Sequence, residues 1–151
     1  MKQIVDMAKL EPTIREIVQA GGKVKLTVTG ESMLPTLVEK RDSVILEKPG
    51  KIKKKDIILY QRKNGDYVLH RVVKKKKGMF ALCGDNQMVI EYPIEQDQII
   101  AVASAIVRKG KIIDKNNPMY KFCAFVWINT IPLSPLIYKK VIQTKSKLNC
   151  F

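Results

Sequence analysis

The chain of 151 residues contains few of the side chains that hold metals or form disulfides: one histidine, His70, and three cysteines, Cys83, Cys123 and Cys150. A zinc site typically takes about four His, Cys or carboxylate ligands at characteristic spacings, and the spacing here matches none of them. The odd number of cysteines argues against a disulfide framework and favours a reducing, intracellular compartment. We therefore expect no metal and no other cofactor.

The sequence also lacks a long apolar segment near its beginning. Charged residues interrupt residues 1–22 every few positions, so this stretch has neither the ~7–15-residue apolar core of a signal peptide nor the ~20 apolar residues of a membrane-spanning helix. The one long uncharged stretch, residues 122–138, contains two prolines and is a poor candidate for a spanning helix. The expected location is the cytoplasm or the inner face of the membrane, without an N-terminal export signal or anchor.

Acidic residues are outnumbered two to one, with 28 Lys and Arg against 14 Asp and Glu, and the formal net charge is +14. Such an excess favours anionic lipid, nucleic acid or an acidic peptide as partner, and it also fits a solubilising surface. The lysine runs at 53–55 and 74–77 lack interleaved aromatic residues, so they predict solvated connections between strands. We expect no nucleic-acid partner.

The apolar content of 46% is enough for the core of a single domain of this length. The pattern predicts three parts: an N-terminal helical segment (1–22), a β domain (23–113), and a polar linker followed by an apolar, lysine-flanked tail (114–151). In the first part, apolar residues recur at helical spacing. Pro12 predicts the start of a second helix there, and Gly21 predicts its end.

The middle part alternates short apolar segments with turns. Val24, Leu26 and Val28 alternate with polar residues, as in a half-buried strand, and Asn64-Gly65 is a strong hairpin signal. Further strands are predicted over 42–47, 57–62, 67–73, 79–83, 99–107 and 111–113. The sequence therefore predicts a mainly β fold with a compact, barrel-like body.

The apolar stretch 122–138 lies among lysines. Such a segment is typical of a helix that contacts a membrane surface, and equally of a helix packed on the apolar surface of its own domain. Amphipathicity does not distinguish lipid from protein. Both interpretations stay open, and a peripheral membrane contact is one expectation.

A candidate nucleophile lies in the segment Val28–Thr36. A strand leads to Gly30, where glycine permits a tight turn; Ser32 follows on that turn, and Pro35 directs the chain out of it. A serine hydroxyl becomes a nucleophile only beside a base. Without one, a serine near a glycine more often caps a turn.

The sole histidine, His70, is the candidate base, because imidazole titrates near neutrality and the predicted strand Tyr67–Val73 would hold it firmly. Asp85, on a turn directly after another strand, could hold the tautomer of the imidazole and stabilise the imidazolium. A structural histidine and an ordinary aspartate turn are the competing interpretations. The order serine, histidine, aspartate, all at strand ends of one β domain, favours catalysis.

Four segments in order resemble the sequence boxes of type I signal peptidases and of LexA-like self-cleaving repressors: Gly30–Leu37 (GESMLPTL), Asp56–Tyr60 (DIILY), Val68–Val73 (VLHRVV) and Gly84–Asn86 (GDN). The resemblance covers residues 24–107, and four boxes in order make it specific. It implies a mostly β fold and an extended peptide substrate, added as a strand at a sheet edge and cleaved after a small residue.

Within this clan, His70-Arg71 resembles the histidine-type branch of endoplasmic-reticulum and archaeal enzymes. The resemblance implies that Ser32 attacks the scissile carbonyl, that His70 takes its proton, and that Asp85 orients His70. The backbone N–H of Ser32 would serve as oxyanion donor. The residues implied at the oxyanion and substrate site are Gly30, Ser32, Met33 and Arg71.

The chain departs from the family pattern around this site. Gly30 stands where many signal peptidases carry a serine that assists the oxyanion. Glu91 is the nearest acidic residue where the histidine branch often has a second aspartate, so Asp85 and Glu91 are both candidates for orienting His70. The body is also too short for the large second β domain of some bacterial enzymes.

These patterns together predict a serine endopeptidase of the signal-peptidase type that cleaves signal or leader peptides. One alternative is a self-cleaving regulator, cut at the Ala20–Gly21 bond. Another is a non-catalytic, membrane-associated binding module that retains only the fold.

Overall fold

The structure is a computed structural model that describes residues 6–130. It contains eight strands and two long helices. In chain order the elements are α1 (Met7–Gln19), β1 (Val24–Thr27), β2 (Asp42–Glu47), β3 (Ile57–Gln61), β4 (Tyr67–Lys76), β5 (Met79–Cys83), β6 (Glu91–Ile94), a short 3-10 turn (Gln96–Gln98), β7 (Ile99–Arg108), β8 (Lys111–Asp114) and α2 (Pro118–Thr130). The mainly β fold predicted from the sequence is confirmed.

Helix α1 begins at a polar cap and buries one apolar face. The Asp6 side chain accepts a hydrogen bond from the Ala8 N–H, which satisfies one of the free donors at the helix start. Ile14 and Val18 are buried in the core. Pro12 lies inside this helix and does not begin a second one, because the apolar stripe that packs on the sheet continues past it.

All eight strands form one antiparallel sheet in the order β1-β2-β7-β3-β4-β5-β6, and β8 pairs with the second half of β7. The predicted Asn64-Gly65 turn joins β3 to β4, and Gly65 has the positive φ of +94° that such a turn requires. Lys74–Lys76 belong to strand β4, so this lysine run does not lie in a connection. The turn into β5 is made by Lys77 and Gly78.

Strand β6 was not expected from the sequence, because it contains Pro93. Proline cannot donate a hydrogen bond to a neighbouring strand and is tolerated on edge strands. Within the part of the chain that the structure describes, β6 pairs only with β5 and forms one edge of the sheet.

The sheet packs apolar side chains on both faces. On β3, Ile57 and Leu59 join a cluster that includes both buried residues of α1, whereas Ile58 and Tyr60 join a second cluster with Phe80. Because successive side chains of a strand point to opposite faces, this division shows that the central strand is covered on both sides.

Helix α2 buries the side chains of one face, Tyr120, Cys123, Ala124, Trp127 and Ile128. Of these, Tyr120 belongs to the core cluster that includes Ile14 and Val18 of α1. Among residues 6–130, no helix is long and apolar enough to cross a membrane. The part of the predicted membrane-contact segment that follows residue 130 lies outside the described residues.

Candidate active site

The Ser32 loop leaves strand β1 and is held by the turn that follows β5. Gly30 has a φ of +82°, a conformation that favours glycine, and Ser32 is half-buried. The backbone N–H of Asn86 donates to the Ser32 carbonyl at 2.9 Å, and the Asn86 side chain donates to the Glu31 carbonyl at 3.2 Å. The Gly84–Asn86 turn therefore fixes the backbone on which the candidate nucleophile sits.

Gly84 permits this close contact between the two segments. A Cβ atom added at Gly84 would lie 2.5 Å from the carbonyl oxygen of Ser32, far inside van der Waals contact. The GDN sequence therefore requires glycine at its first position because another backbone passes directly over it.

A buried ion pair connects the same turn to strand β4. Arg71 donates two hydrogen bonds to the Asp85 carboxylate at 2.8 and 2.7 Å and a third to the Lys55 carbonyl at 2.9 Å. The hydroxyl of Thr36, on the Ser32 loop, donates to Asp85 Oδ2, which also accepts one of the two hydrogen bonds from Arg71. Arg71 and Asp85 are almost completely buried. Asp85 thus links β4 to the Ser32 loop.

His70 precedes Arg71 on β4 and points to the opposite face of the strand, where it is fully buried. Its Nδ1 atom lies 3.2 Å from the Tyr60 hydroxyl and 3.4 Å from the Glu91 carboxylate. Its buried Nε2 atom has no hydrogen-bond partner among the residues that the structure describes. Buried polar atoms without partners are rare, and a catalytic role is one recognised reason for them.

The surroundings of His70 favour its neutral form. Burial lowers the pKa of His70 to about 4, although the nearby charge of Glu91 acts in the opposite direction. Glu91 itself is held by Arg62, which donates to its two oxygens at 2.9 and 2.5 Å. Burial raises the pKa of the Glu91 carboxyl, but the hydrogen bonds from Arg62 and Tyr60 outweigh this and lower it overall.

The structure divides the predicted site residues into two groups. Asp85 contacts Arg71 and Thr36. Within residues 6–130 Asp85 makes no hydrogen bond or ion pair with His70, although the sequence predicts this contact. The carboxylate beside His70 is that of Glu91. No Ser32–His70 hydrogen bond occurs within the described residues, where Nδ1 faces the Tyr60 and Glu91 side chains. Hydrogen bonds between catalytic groups are often long without substrate and shorten in the complex with substrate.

Two residues predicted at the oxyanion and substrate site have buried side chains. Met33 is 2% exposed and belongs to the core cluster with α1. The guanidinium of Arg71 is held by Asp85 and the Lys55 carbonyl, so it faces the interior and not a substrate. Gly30 is exposed at the surface. At Met33 and Gly30, only the backbone remains available to bind the oxyanion or the substrate.

Three residues of the site, Thr36, Tyr60 and Arg62, were not singled out from the sequence. The sequence contains one feature that could have indicated Tyr60. A turn at Asn64-Gly65 pairs Ile58 with His70, and this pairing places the side chains of Tyr60 and His70 on the same face of the sheet. Nothing in the local sequence indicates that Arg62 meets Glu91, 29 positions away. Among the described residues there is no group of His, Cys, Asp and Glu that could hold a metal.

Comparison with known families agrees with this arrangement. A family model described as Peptidase S24-like matches residues 4–107, which include Ser32, His70 and both candidate carboxylates. The match supports a serine peptidase in general, the coarser part of the resemblance predicted from the sequence. No curated protein and no solved structure is found to match the chain.

Proposed function

The chain belongs to the Peptidase S24-like family, and we propose that it is a histidine-type serine endopeptidase that cleaves signal or leader peptides after a small residue. The observation that carries the proposal is the position of the only histidine. His70 has a buried Nε2 without a partner among residues 6–130, and it lies on a strand that Arg71, Asp85 and Asn86 tie to the Ser32 loop.

In the proposed mechanism, Ser32 Oγ attacks the scissile carbonyl carbon while His70 Nε2 accepts the hydroxyl proton. The leaving amine takes that proton from the imidazolium, and a water molecule, activated by the same base, hydrolyses the acyl-enzyme. The backbone N–H of Ser32 is proposed to stabilise the oxyanion, because Gly30 offers no side-chain donor. Glu91 is proposed to orient His70, since its carboxylate lies 3.4 Å from Nδ1.

The test uses the purified full chain and a panel of synthetic leader and signal peptides that carry a small residue before the cleavage site. We expect cleavage after that residue, and a loss of at least about a thousandfold in kcat/KM for Ser32→Ala and for His70→Ala. Mass spectrometry of the products identifies the cleaved bond. Thr13→Ala, which removes an exposed hydroxyl from α1, is the matched control and should retain activity.

Two outcomes would contradict the proposal: equal cleavage by Ser32→Ala, or no cleavage of any peptide in the panel. A serine-directed covalent inhibitor adds a separate check against a non-catalytic binding module. It should label the wild type, and its label should be lost in both Ser32→Ala and His70→Ala.

The alternative of self-cleavage at Ala20–Gly21 is not favoured by the backbone at that bond. The Ala20 N–H donates to the Glu16 carbonyl and the Gly21 N–H to the Val18 carbonyl, each at 3.0 Å, and Gly21 has a φ of +86°. The bond thus lies in the turn that ends α1. A peptidase that binds its substrate as a strand needs an extended bond, and α1 would have to unwind first.

We further propose that the peptidase works at a membrane surface, through the outer face of α2. This face exposes Met119, Phe122 and Phe125 by 55, 62 and 54%. The Lys55 ammonium lies 5.1 Å from the centre of the Phe125 ring, and Lys121 is exposed on the same helix. Apolar side chains beside lysines are suited to an anionic bilayer, in which rings enter the interface and cations meet lipid headgroups.

A further inference from the structure

The Tyr60 hydroxyl lies between the candidate base and its carboxylate. Ile58 pairs with His70 across β3 and β4, and Tyr60 pairs with Val68, so the side chains of Tyr60 and His70 are diagonal neighbours on one face of the sheet. Both are fully buried, and the hydroxyl lies 3.2 Å from His70 Nδ1. The Glu91 carboxylate lies 3.4 Å from the same Nδ1 atom, and it is close enough to the Tyr60 hydroxyl to raise the pKa of Tyr60.

The direction of the hydrogen bond between Tyr60 and His70 follows from the charge of Glu91. A phenol has one proton and donates it to one neighbour, while an ionised carboxylate can only accept. Arg62 keeps Glu91 ionised through its two hydrogen bonds. Burial, and then the neighbouring Glu91 carboxylate, raise the pKa of Tyr60, so its hydroxyl stays protonated. The phenol proton is therefore directed towards the negative charge of Glu91, and the oxygen accepts from His70 Nδ1.

The opposite arrangement, in which Tyr60 donates its proton to His70 Nδ1, is energetically unfavourable for two reasons. If Tyr60 donated to Nδ1, the lone pairs of its oxygen would face the Glu91 carboxylate. The imidazole proton would then sit on Nε2, which is buried and has no acceptor within residues 6–130. A buried N–H donor without a partner is rarer and more costly than an under-satisfied acceptor.

We infer that Tyr60 is a positioning residue: it holds the proton of neutral His70 on Nδ1 and leaves the Nε2 lone pair free to take the proton of Ser32. Tyr60 acts through His70 and does not touch the peptide. The catalytic consequence rests on the proposed function, whereas the tautomer itself is a property of the folded chain.

The experiment uses the fact that His70 is the only histidine. In protein labelled with ¹⁵N-histidine and purified without a polyhistidine tag, every imidazole nitrogen signal belongs to His70. At pH 7 we expect a neutral ring protonated on Nδ1. Tyr60→Phe removes only the hydroxyl and leaves Glu91 3.4 Å from Nδ1, so we expect a measurable rise in the Nε2-protonated fraction, together with a fall in kcat on the order of tenfold with little change in KM.

Tyr67→Phe is the matched control, because it removes the hydroxyl of a half-buried tyrosine that packs in the other apolar cluster. It should keep both the tautomer and kcat. An Nε2-protonated ring in the wild type overturns the inference without any variant, and so does a tautomer unchanged in Tyr60→Phe. If the Nδ1 tautomer is found but no peptide is cleaved, the positioning stands and the proposed function fails.

Discussion

At the scale of single residues, the burial of His70 determines its charge. Removal from water lowers the pKa of the imidazole from its ordinary 6.5 to about 4, against the opposing charge of Glu91. A neutral imidazole is the form that accepts a proton, so His70 is available as a base throughout the physiological range. Its buried site also keeps bulk water from competing for Nε2.

This burial makes the stability of the protein depend on pH. The folded pKa lies below the unfolded one, so between pH 6.5 and about 4 the unfolded chain binds more protons at this residue, and stability falls as pH falls through that window. From pH 7 to pH 5 we expect the wild type to lose on the order of 2 kcal/mol more than His70→Asn. Urea unfolding at both pH values measures the difference, and equal losses would contradict the assignment.

At the scale of elements, the site depends on two turns from distant parts of the chain. The Ser32 loop follows β1 and the Gly84–Asn86 turn follows β5, and the two are joined by backbone and side-chain hydrogen bonds. The Arg71–Asp85 pair then anchors this assembly on β4. Removal of one partner of such a buried pair leaves an uncompensated charge in the interior, which is strongly destabilising.

Gly84→Ala tests this contact directly. The added methyl group would lie 2.5 Å from the Ser32 carbonyl oxygen, so the Ser32 loop must move. We expect a loss of about 1–3 kcal/mol in the free energy of unfolding, as for other overpacked sites, together with a fall in kcat.

Gly50→Ala is the matched control, since a Cβ at Gly50 meets no atom within 4 Å and its φ is not positive. Its stability should stay within about 0.5 kcal/mol of the wild type. Chemical denaturation and peptide cleavage measure the two effects. If both alanine variants behave alike, the close approach of Gly84 to the Ser32 loop does not constrain the site.

At the scale of the whole molecule, charge and exposed apolar surface occur together. The net charge is +14, and large apolar side chains are exposed on α2. Long-range attraction would bring such a protein to an anionic surface, and apolar side chains would then hold it there.

Vesicle sedimentation tests this expectation. We expect the full chain to bind vesicles that contain phosphatidylglycerol, to bind phosphatidylcholine vesicles weakly, and to lose binding as salt rises. The double variant Phe122→Ser/Phe125→Ser should bind several-fold more weakly. Ile112→Ser, on β8 and 70% exposed in the wild type, is the control and should bind normally.

Other occupants of the α2 face give different results. If a second copy of the chain covers it, the wild type is a dimer by light scattering and the double variant a monomer. If another part of the same chain covers it, the double variant unfolds at lower temperature with unchanged vesicle binding. Either result would overturn the membrane contact.

The sequence by itself determined the features that depend on near neighbours along the chain. The Asn64-Gly65 turn, the alternation of Val24 and Leu26, and most strands could be predicted, because strand periodicity and turn residues act over a few positions. Local rules failed where packing overrode them. Pro12 lies within a helix whose apolar face is buried, and Lys74–Lys76 extend a strand whose partner continues beside it.

Only the tertiary structure decided which side chains meet. Both Asp85 and Glu91 were candidates for orienting His70, and sequence order could not separate them. His70 and Arg71 are adjacent on β4 and point to opposite faces, so each meets a different carboxylate: Glu91 lies beside His70, and Asp85 binds Arg71. Which carboxylate reaches which face depends on the register of strands and on the path of the turn after β5, and these are set by contacts between residues far apart in the chain.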